Sequence, residues 1–263
     1  MSKKTKIKME PCTSAAAVTE NTEDKFKTPY VYQRDKVSYD FLIRELPWTA
    51  KQRELIELGL NKNVKCVFIK GPAGSSKTLT AVYLALHLLR LKKVSDIIFI
   101  RSAVESADSK LGYLPGSIDD KLEAYMIPFV EKLDELLQVG DRNKLKNDER
   151  FSTTPVNYIR GLHWPAKCII VDECQSITIK ELITTITRIG QFSKVFLLGD
   201  PNQTDLPVAK AGGFEQLFDL FNDDASKEQG IYTFEFTEED IVRSDFVKFI
   251  VKKLEKIHQK LPN

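Results

Sequence analysis

Residues 71–78 constrain this sequence more than any other stretch, because they read Gly-Pro-Ala-Gly-Ser-Ser-Lys-Thr between two strongly patterned segments. The apolar run at 64–70 predicts a β-strand, and the pattern at 79–91 predicts a helix. A glycine turn that leads from a strand into a helix N-terminus is the context of a phosphate-binding loop, although an ordinary strand-to-helix turn has the same elements. The stretch therefore predicts a site for a phosphate group.

The positions of this loop have separate predicted roles around a nucleoside triphosphate. Backbone N–H groups of residues 74–78 would surround the β-phosphate, aided by the positive end of the helix dipole. Lys77 would reach the β- and γ-phosphates, and Thr78 would bind Mg²⁺ through its hydroxyl. The predicted nucleotide-binding residues of the loop are Gly71, Pro72, Ala73, Gly74, Ser75, Ser76, Lys77 and Thr78.

One position departs from the usual signature G-x-x-x-x-G-K-[ST], because Ser76 stands where a second glycine is expected. If the backbone there needs a positive φ, serine costs roughly 1 kcal/mol relative to glycine. Such a cost would weaken the loop or slow its adaptation without removing Lys77, Thr78 or the backbone amides.

Two further strands are predicted to end in polar groups at the same edge of the sheet. The apolar run 168–171 leads into Asp172 and Glu173. Asp172 is expected to hold the hydration shell of Mg²⁺, and Glu173 to act as a general base for water that attacks the γ-phosphate. Gln203, after the run 194–199, is predicted to contact that water or the γ-phosphate. The simpler interpretation of Asp172 and Glu173 is an acidic helix cap, and that of the segment with Gln203 is a plain turn.

The alternation of strand and helix patterns predicts an α/β fold with a mainly parallel sheet flanked by helices. Predicted strands lie at 64–70, 96–101, 168–172, 194–199 and 231–236, with a helix at 179–189 between the third and fourth. Residues 29–263 are expected to form a single domain. A helical insertion is predicted at about 103–150, after the second strand, with residues 139–150 as a charged loop.

The two ends of the chain differ in charge from its body. Residues 1–8 carry +4 and residues 244–263 carry +3, which leaves −5 between them for a formal net charge of +2. Residues 1–28 are polar and aperiodic, so we expect a disordered arm. The basic ends could touch nucleic acid or be solvated tails.

Several classes of protein are disfavoured by composition. We find no apolar window near the ~18 residues of a membrane span and no secretory signal, so a cytoplasmic location away from membranes is expected. Four cysteines without Cys-x-x-Cys spacing and three scattered histidines suggest free thiols and no zinc site.

The motifs together resemble those of the PhoH family of ATPases, whose core is similar to the first RecA-like domain of superfamily 1 helicases. The resemblance covers roughly residues 45–252. This sequence departs from the family pattern at four positions. Ser76 replaces the usual Gly, Ser102 the usual Pro, Cys174 the usual Ala, and Leu162 a frequent second Arg. The matching motifs are those at 71–78, 101–105, 111–116, 158–161, 171–175, 187–190, 199–207 and 242–243.

This resemblance implies a P-loop NTPase fold of RecA-like type with ATP and Mg²⁺ as cofactors. It also implies ring-shaped oligomers and a helicase-like or nuclease-associated action on RNA. Gln52 matches a glutamine that reads adenine in related helicases, although it equally completes a capping box with Thr49. Gln175 corresponds to a residue near the γ-phosphate, but it could instead cap the next helix.

A single RecA-sized core raises the question of which arginine contacts the γ-phosphate. Fast hydrolysis usually needs such an arginine, worth on the order of 10³–10⁵ in rate. Two-domain motors supply it from a second domain, for which this chain has no room. A neighbouring subunit in a head-to-tail ring, taken to be a homo-hexamer, is the predicted source. Candidates are Arg188, Arg243 and Arg160, each of which could instead be an ordinary surface arginine.

A contact with single-stranded RNA is predicted from aromatic and basic residues on the loop around 158–167. Tyr158 and Trp164 would stack on bases, and Arg160 would contact phosphates, as would Arg101 at a strand end. Local packing of the two aromatic rings is the alternative.

The leading hypothesis is an Mg²⁺-dependent ATPase that acts as an RNA motor. A slowly hydrolysing, nucleotide-gated binding module is the alternative that Ser76 favours. A kinase with a small acceptor is a third class, which Glu173 and Gln203 disfavour.

Overall fold

In the computed structural model of the chain, the described residues are 37–102, 118–204, 206, 211–242, 246 and 249, with the backbone alone for 118–125. The predicted arm at 1–28 and Arg243 lie outside these residues. No helix within them is both long and apolar enough to cross a membrane.

Helices and strands alternate along most of the described chain. The helices are α1 Ala50–Leu60, α2 Lys77–Arg90, α3 Ile118–Leu136, α4 Val139–Asn147, α5 Ile179–Ile186, α6 Gly213–Leu220 and α7 Asp224–Glu228. The strands are β1 Cys66–Lys70, β2 Asp96–Arg101, β3 Phe151–Pro155, β4 Lys167–Asp172, β5 Lys194–Gly199 and β6 Ile231–Glu235.

The described strands form one six-stranded sheet in the order β3-β2-β4-β5-β1-β6, and every pair is parallel. Lys70 at the end of β1 is level with Gly199 of β5, and Arg101 of β2 is level with Asp172 of β4. Because the carboxyl ends of parallel strands share an edge, the loops after β1, β2, β4 and β5 meet there. The predicted α/β class with a RecA-like P-loop fold is confirmed.

The sheet is covered on both faces, which explains its nearly continuous apolar strands. Val67 and Ile69 of β1 point into a core with α1, α2 and α3, whereas Phe68 points into a second core with α5 and α6. All three side chains are fully buried. The sheet therefore holds the carboxyl edge of β1 rigidly between two packed layers.

Residues 139–147 form α4, so the prediction of a charged loop at 139–150 is wrong there. The helix is polar along most of its length, but Leu145 is fully buried in the core beside α3. A single apolar anchor is enough to dock it, although it leaves no periodic signal.

Strand β3 was not predicted, and α5 ends earlier than the predicted 189. Beyond Ile186 the chain leaves the helix, because Arg188 O accepts a hydrogen bond from Trp164 N at 3.0 Å. Gly190 then donates to Trp164 O, and Trp164 and Ile189 form a parallel bridge. Pairing with the segment before β4 therefore replaces the last helical turn.

Candidate functional site

The glycine turn at the carboxyl end of β1 contains two left-handed residues. Gly74 has φ 87°, and Ser76 has φ 62° and ψ 27° directly before α2 begins at Lys77. Ser75 N donates to Pro72 O at 3.3 Å, which closes the turn. Ser76 therefore does have a positive φ, which is the condition under which serine is strained at this position. The cost of about 1 kcal/mol relative to glycine applies to it.

The lysine of this turn lies across the loop. Lys77 Nζ donates to Gly71 O at 2.6 Å and to Pro72 O at 2.8 Å. The ammonium group is thus held on the concave side of the turn by two backbone carbonyls, at the N-terminal end of a 14-residue helix. Positive charge and helix dipole coincide at this point, which is the electrostatic arrangement that attracts phosphate.

Three neighbouring segments hold the loop in place. Asp200, after β5, accepts a hydrogen bond from Ala73 N at 3.0 Å. Val242 N donates to Gly74 O at 3.0 Å. A Cβ on Gly71 would lie 2.6 Å from Phe236 Cβ, so only glycine fits there. Asp200 is only 6% exposed, so its carboxylate is buried against the loop.

Thr78 and Asp172 lie together at the carboxyl edge of the sheet. Thr78 Oγ1 is 3.2 Å from both carboxylate oxygens of Asp172. Burial and, to a smaller extent, the neighbouring Glu173 carboxylate raise the pKa of the Asp172 carboxyl to about 6, against the opposing effect of Arg101. A hydroxyl and a carboxylate side by side are hard oxygen donors, and they fit Mg²⁺ together with phosphate oxygens and water.

Glu173 is the second residue of the site with a strained backbone, at φ 53°. Its Oε1 lies 3.5 Å from Arg101 Nη2, and its Oε2 accepts a hydrogen bond from Gln175 Nε2 at 2.6 Å. Non-glycine residues in the left-handed region cost of order 1–3 kcal/mol and cluster at functional sites. The backbone here aims the carboxylate at Arg101 and Gln175.

Gln175 connects the carboxylate of Glu173 to the segment that follows β5. Its Oε1 accepts a hydrogen bond from Asp200 N at 3.0 Å, and its backbone oxygen accepts one from Thr204 Oγ1 at 2.9 Å. Gln175 is buried and precedes α5, whose N-cap is Thr178. Gln175 therefore does not cap α5, because Thr178 and Glu181 form that cap themselves.

Gln203 lies on the short turn Pro201–Gln203 after β5, at the same edge of the sheet. Its side chain is exposed, and its backbone N donates to Asp200 O at 3.0 Å. Its role toward a γ-phosphate stays a prediction.

Gln52 forms the capping box that the sequence offered as its alternative role. Its Oε1 accepts from Thr49 N at 3.0 Å, and its backbone N donates to Thr49 Oγ1 at 3.2 Å. The side chain is 3% exposed. The geometry thus accounts for Gln52 without a nucleotide base, and its contact with adenine stays a prediction.

The candidate arginines lie in different surroundings. Arg188 is half-buried just beyond α5, and its Nε is enclosed without a hydrogen-bond partner among the described residues. Arg160 is exposed on the loop before β4. Arg243 lies outside the described residues, although its neighbour Val242 bonds to the phosphate loop.

The predicted nucleic-acid residues separate into exposed and buried ones. Tyr158 is 70% exposed and Arg160 is also exposed, whereas Trp164 is only 5% exposed and packs in the core beside α5. The prediction that Trp164 stacks on a base is corrected, because its side chain is already buried among the apolar side chains of that core. Arg101 lies beside Glu173.

A family model for the PhoH-like protein matches residues 46–255, which is most of the chain. This chain belongs to the PhoH family. The resemblance found in the sequence is thereby confirmed. The PhoH-like chain is 33% identical over 205 residues to a PhoH-like protein of Mycobacterium tuberculosis, a match of 78% of this chain and 56% of that protein.

Other PhoH relatives are similarly distant. A PhoH-like protein of Bacillus subtilis is 32% identical over 208 residues, covering 79% of this chain and 63% of that protein. The protein PhoH of Escherichia coli is 31% identical over 180 residues, covering 68% and 49% respectively. The chain thus spans about half to three fifths of the length of these relatives.

Solved structures similar to the PhoH-like chain include Pif1 helicases. The crystal structure of Pif1 from Candida albicans has a TM-score of 0.35 at 15% identity and covers 73% of this chain and 41% of that one. Pif1 from Bacteroides, in complex with ADP-AlF3 and ssDNA, has a TM-score of 0.34 at 15% identity, with 73% and 42% coverage.

Proposed function

We propose that this PhoH-family chain is an Mg²⁺-dependent ATP hydrolase that works in a ring, taken to be a hexamer, as a motor on single-stranded RNA. The observation that carries the proposal is the contact of Thr78 Oγ1 with both oxygens of Asp172 at 3.2 Å, directly beside Glu173. A metal-binding hydroxyl, a metal-binding carboxylate and a second carboxylate then lie at the mouth of a phosphate loop.

The triphosphate binds with its β-phosphate among the N–H groups of the loop. Lys77 exchanges its two carbonyl contacts for oxygens of the β- and γ-phosphates, which match an ammonium better because they are charged. Thr78 and Asp172 would hold Mg²⁺, which would supply neutralisation of the charge on the phosphates.

Hydrolysis proceeds by attack of water on the γ-phosphorus. Glu173 accepts a proton from the water while the water oxygen bonds to phosphorus. The bond from phosphorus to the β,γ-bridging oxygen breaks at the same time. The electron pair of that bond leaves with ADP, and inorganic phosphate is released with the water oxygen. Gln203 orients the attacking water from the end of β5.

An arginine from a neighbouring subunit completes the site. Among the described candidates Arg188 is favoured, because its enclosed Nε lacks a hydrogen-bond partner within the described residues while the side chain remains half-buried at the surface. A head-to-tail contact repeated around a closed ring gives each site one such arginine.

Steady-state ATP turnover with and without single-stranded RNA tests the proposal. Lys77→Ala and Glu173→Gln are expected to reduce turnover by about 10²–10⁴ each, since one removes phosphate contact and the other the base. Lys227→Ala and Glu54→Gln, which change surface pairs on α7 and α1, serve as matched controls. Turnover by Glu173→Gln equal to wild type would contradict the assignment of the base.

A slowly hydrolysing, nucleotide-gated binding module is the second candidate function. Two observations favour it: Ser76 is strained at φ 62°, and both oxygens of Glu173 already face donors. Tight binding of ATP with negligible turnover, unchanged by RNA, would support this module against the motor.

A further inference from the structure

Arg101 lies between the proposed base and an open part of the sheet edge. It ends β2, level with Asp172 of β4 on one side and with Pro155 of β3 on the other. Its Nη2 is 3.5 Å from Glu173 Oε1, and its side chain remains about one third exposed, at 35%. The guanidinium therefore faces the ATP site and is still accessible to solvent.

The two contacts of Glu173 differ in how easily they can be exchanged. Gln175 donates at 2.6 Å and is itself buried and bonded to Asp200. Arg101 is at the longer distance of 3.5 Å, and Glu173 on the other side of the pair is 42% exposed. Partly exposed ion pairs are weak, so another anion can displace Glu173 from Arg101 at small cost.

A shallow depression on the other side of Arg101 leaves the guanidinium open to such an anion. It is lined by Arg101 and Phe99 of β2 and by Thr153, Thr154 and Pro155 of β3. Thr153 is level with Phe99, on the same face of the sheet as Arg101, and its half-buried hydroxyl can donate to a phosphate oxygen. A guanidinium with a hydroxyl beside it matches the phosphodiester of a single strand, because arginine presents several donors in one plane.

We propose that Arg101 is a positioning residue that couples strand binding to hydrolysis by holding Glu173 when no strand is present. A phosphodiester bound on this exposed side of Arg101 draws the guanidinium away, and Glu173 Oε1 is then free to accept a hydrogen bond from the attacking water. The inference rests on the proposed function and adds to it the means by which single-stranded RNA stimulates turnover.

The coupling has to act in both directions. If a strand that takes Arg101 releases Glu173, then removal of the Glu173 charge releases Arg101 for the strand, and strand affinity increases. This second effect is measured without any catalysis, so it separates coupling from damage to the ATP site.

Turnover is the first test, with Arg101→Met as the variant that removes the charge and keeps an apolar stem. Its turnover without RNA is expected to rise about two- to fivefold, and stimulation by oligo(U) to disappear. Arg101→Lys keeps the charge and is expected to retain stimulation. Arg142→Met, which removes an arginine from a surface pair with Asp134 far along the chain, is the matched control with both values unchanged.

Strand affinity is the second test, measured by fluorescence anisotropy of labelled oligo(U) without nucleotide. Glu173→Gln is expected to bind about two- to fivefold more tightly than wild type, and Arg101→Met more weakly. In the double variant the gain from Glu173→Gln should vanish. An equal gain in both backgrounds would mean general charge repulsion and would overturn the coupling.

The outcomes keep the two proposals apart. A wild-type protein without ATP turnover contradicts the proposed function. A wild-type protein whose turnover RNA stimulates, with the same stimulation in Arg101→Met, contradicts the role of Arg101 alone. Loss of stimulation in Arg101→Met together with the vanished gain in the double variant supports the coupling.

Discussion

Ser76 and Glu173 are non-glycine residues that the site holds in the left-handed region, at φ 62° and 53°. Ser76 lies in the phosphate loop, and Glu173 is the proposed general base. Strain of this kind persists only where the surrounding structure imposes it. Substitutions at these positions therefore change both the stability of the fold and the behaviour of the site.

Ser76→Gly is expected to stabilise the protein by about 0.5–1 kcal/mol, because glycine adopts a positive φ without the clash of a Cβ. The hydroxyl of Ser76 makes no capping hydrogen bond to α2 among the described residues, so little is lost with it. The free energy of unfolding in urea measures the change. Ser76→Ala keeps the Cβ and should stay close to wild type, and an equal gain in both variants would contradict strain as the cause.

The buried carboxyl of Asp172 makes the stability of the metal-free protein depend on pH. Burial raises the pKa of Asp172 from its ordinary 3.8 to about 6, so the fold binds a proton that the unfolded chain has released. The stability from this group is complete below the ordinary pKa and is lost as pH rises through about 6. Its loss at pH 7 is on the order of 3 kcal/mol.

Asp172→Asn removes this dependence, since the amide does not titrate. In urea titrations with EDTA, the variant should be more stable than wild type at pH 7, by an amount that shrinks toward pH 4. A difference that stays constant between pH 4 and 7 would contradict this account. Mg²⁺ requires the ionised carboxylate, so its affinity for wild type should increase as pH rises through about 6.

At the level of elements, the sequence predicted β1, β2, β4 and β5 because both faces of each are covered and the apolar runs are nearly continuous. Strand β3 was not predicted from the sequence, because Phe151 and Pro155 are its only buried residues and the polar side chains between them are at least partly exposed. The pairings of Gln175 and Asp200 at the site were equally hidden, because they depend on contacts between residues far apart in the chain.

Helix α4 depends on one buried side chain, and its stability contribution can be measured there. Leu145→Ala is expected to destabilise the protein by about 2–4 kcal/mol, because it leaves a cavity in the core beside α3. Lys146→Ala, at the exposed neighbouring position, should change stability by less than about 0.5 kcal/mol. Urea midpoints of the two variants test the difference. Equal midpoints would mean that α4 is not anchored by Leu145.

At the level of the whole molecule, the proposed arginine in trans makes activity a property of pairs of subunits. Arg188→Ala and Glu173→Gln should each be inactive alone, but their mixture should regain activity. In the mixture, a subunit with an intact site meets the intact arginine of its neighbour. A substantial fraction of such interfaces forms when the subunits exchange freely.

Mixing Lys77→Ala with Glu173→Gln is the control, since neither variant has an intact site and no pairing restores one. ATP turnover of the mixtures and light scattering of the wild type provide the readouts. A fully active monomer would contradict the arginine in trans. If Arg243→Ala regains activity on mixing and Arg188→Ala does not, the assignment to Arg188 is wrong.

The phosphate loop at 71–78 is held by residues that come much later in the chain: Asp200, Phe236 and Val242. During synthesis on the ribosome, the loop emerges long before these residues exist. At about 5–20 residues per second, translation needs on the order of ten seconds to add them. The nascent chain therefore carries a loop without these three contacts until Val242 has been added, and the phosphate loop takes its final shape late in synthesis.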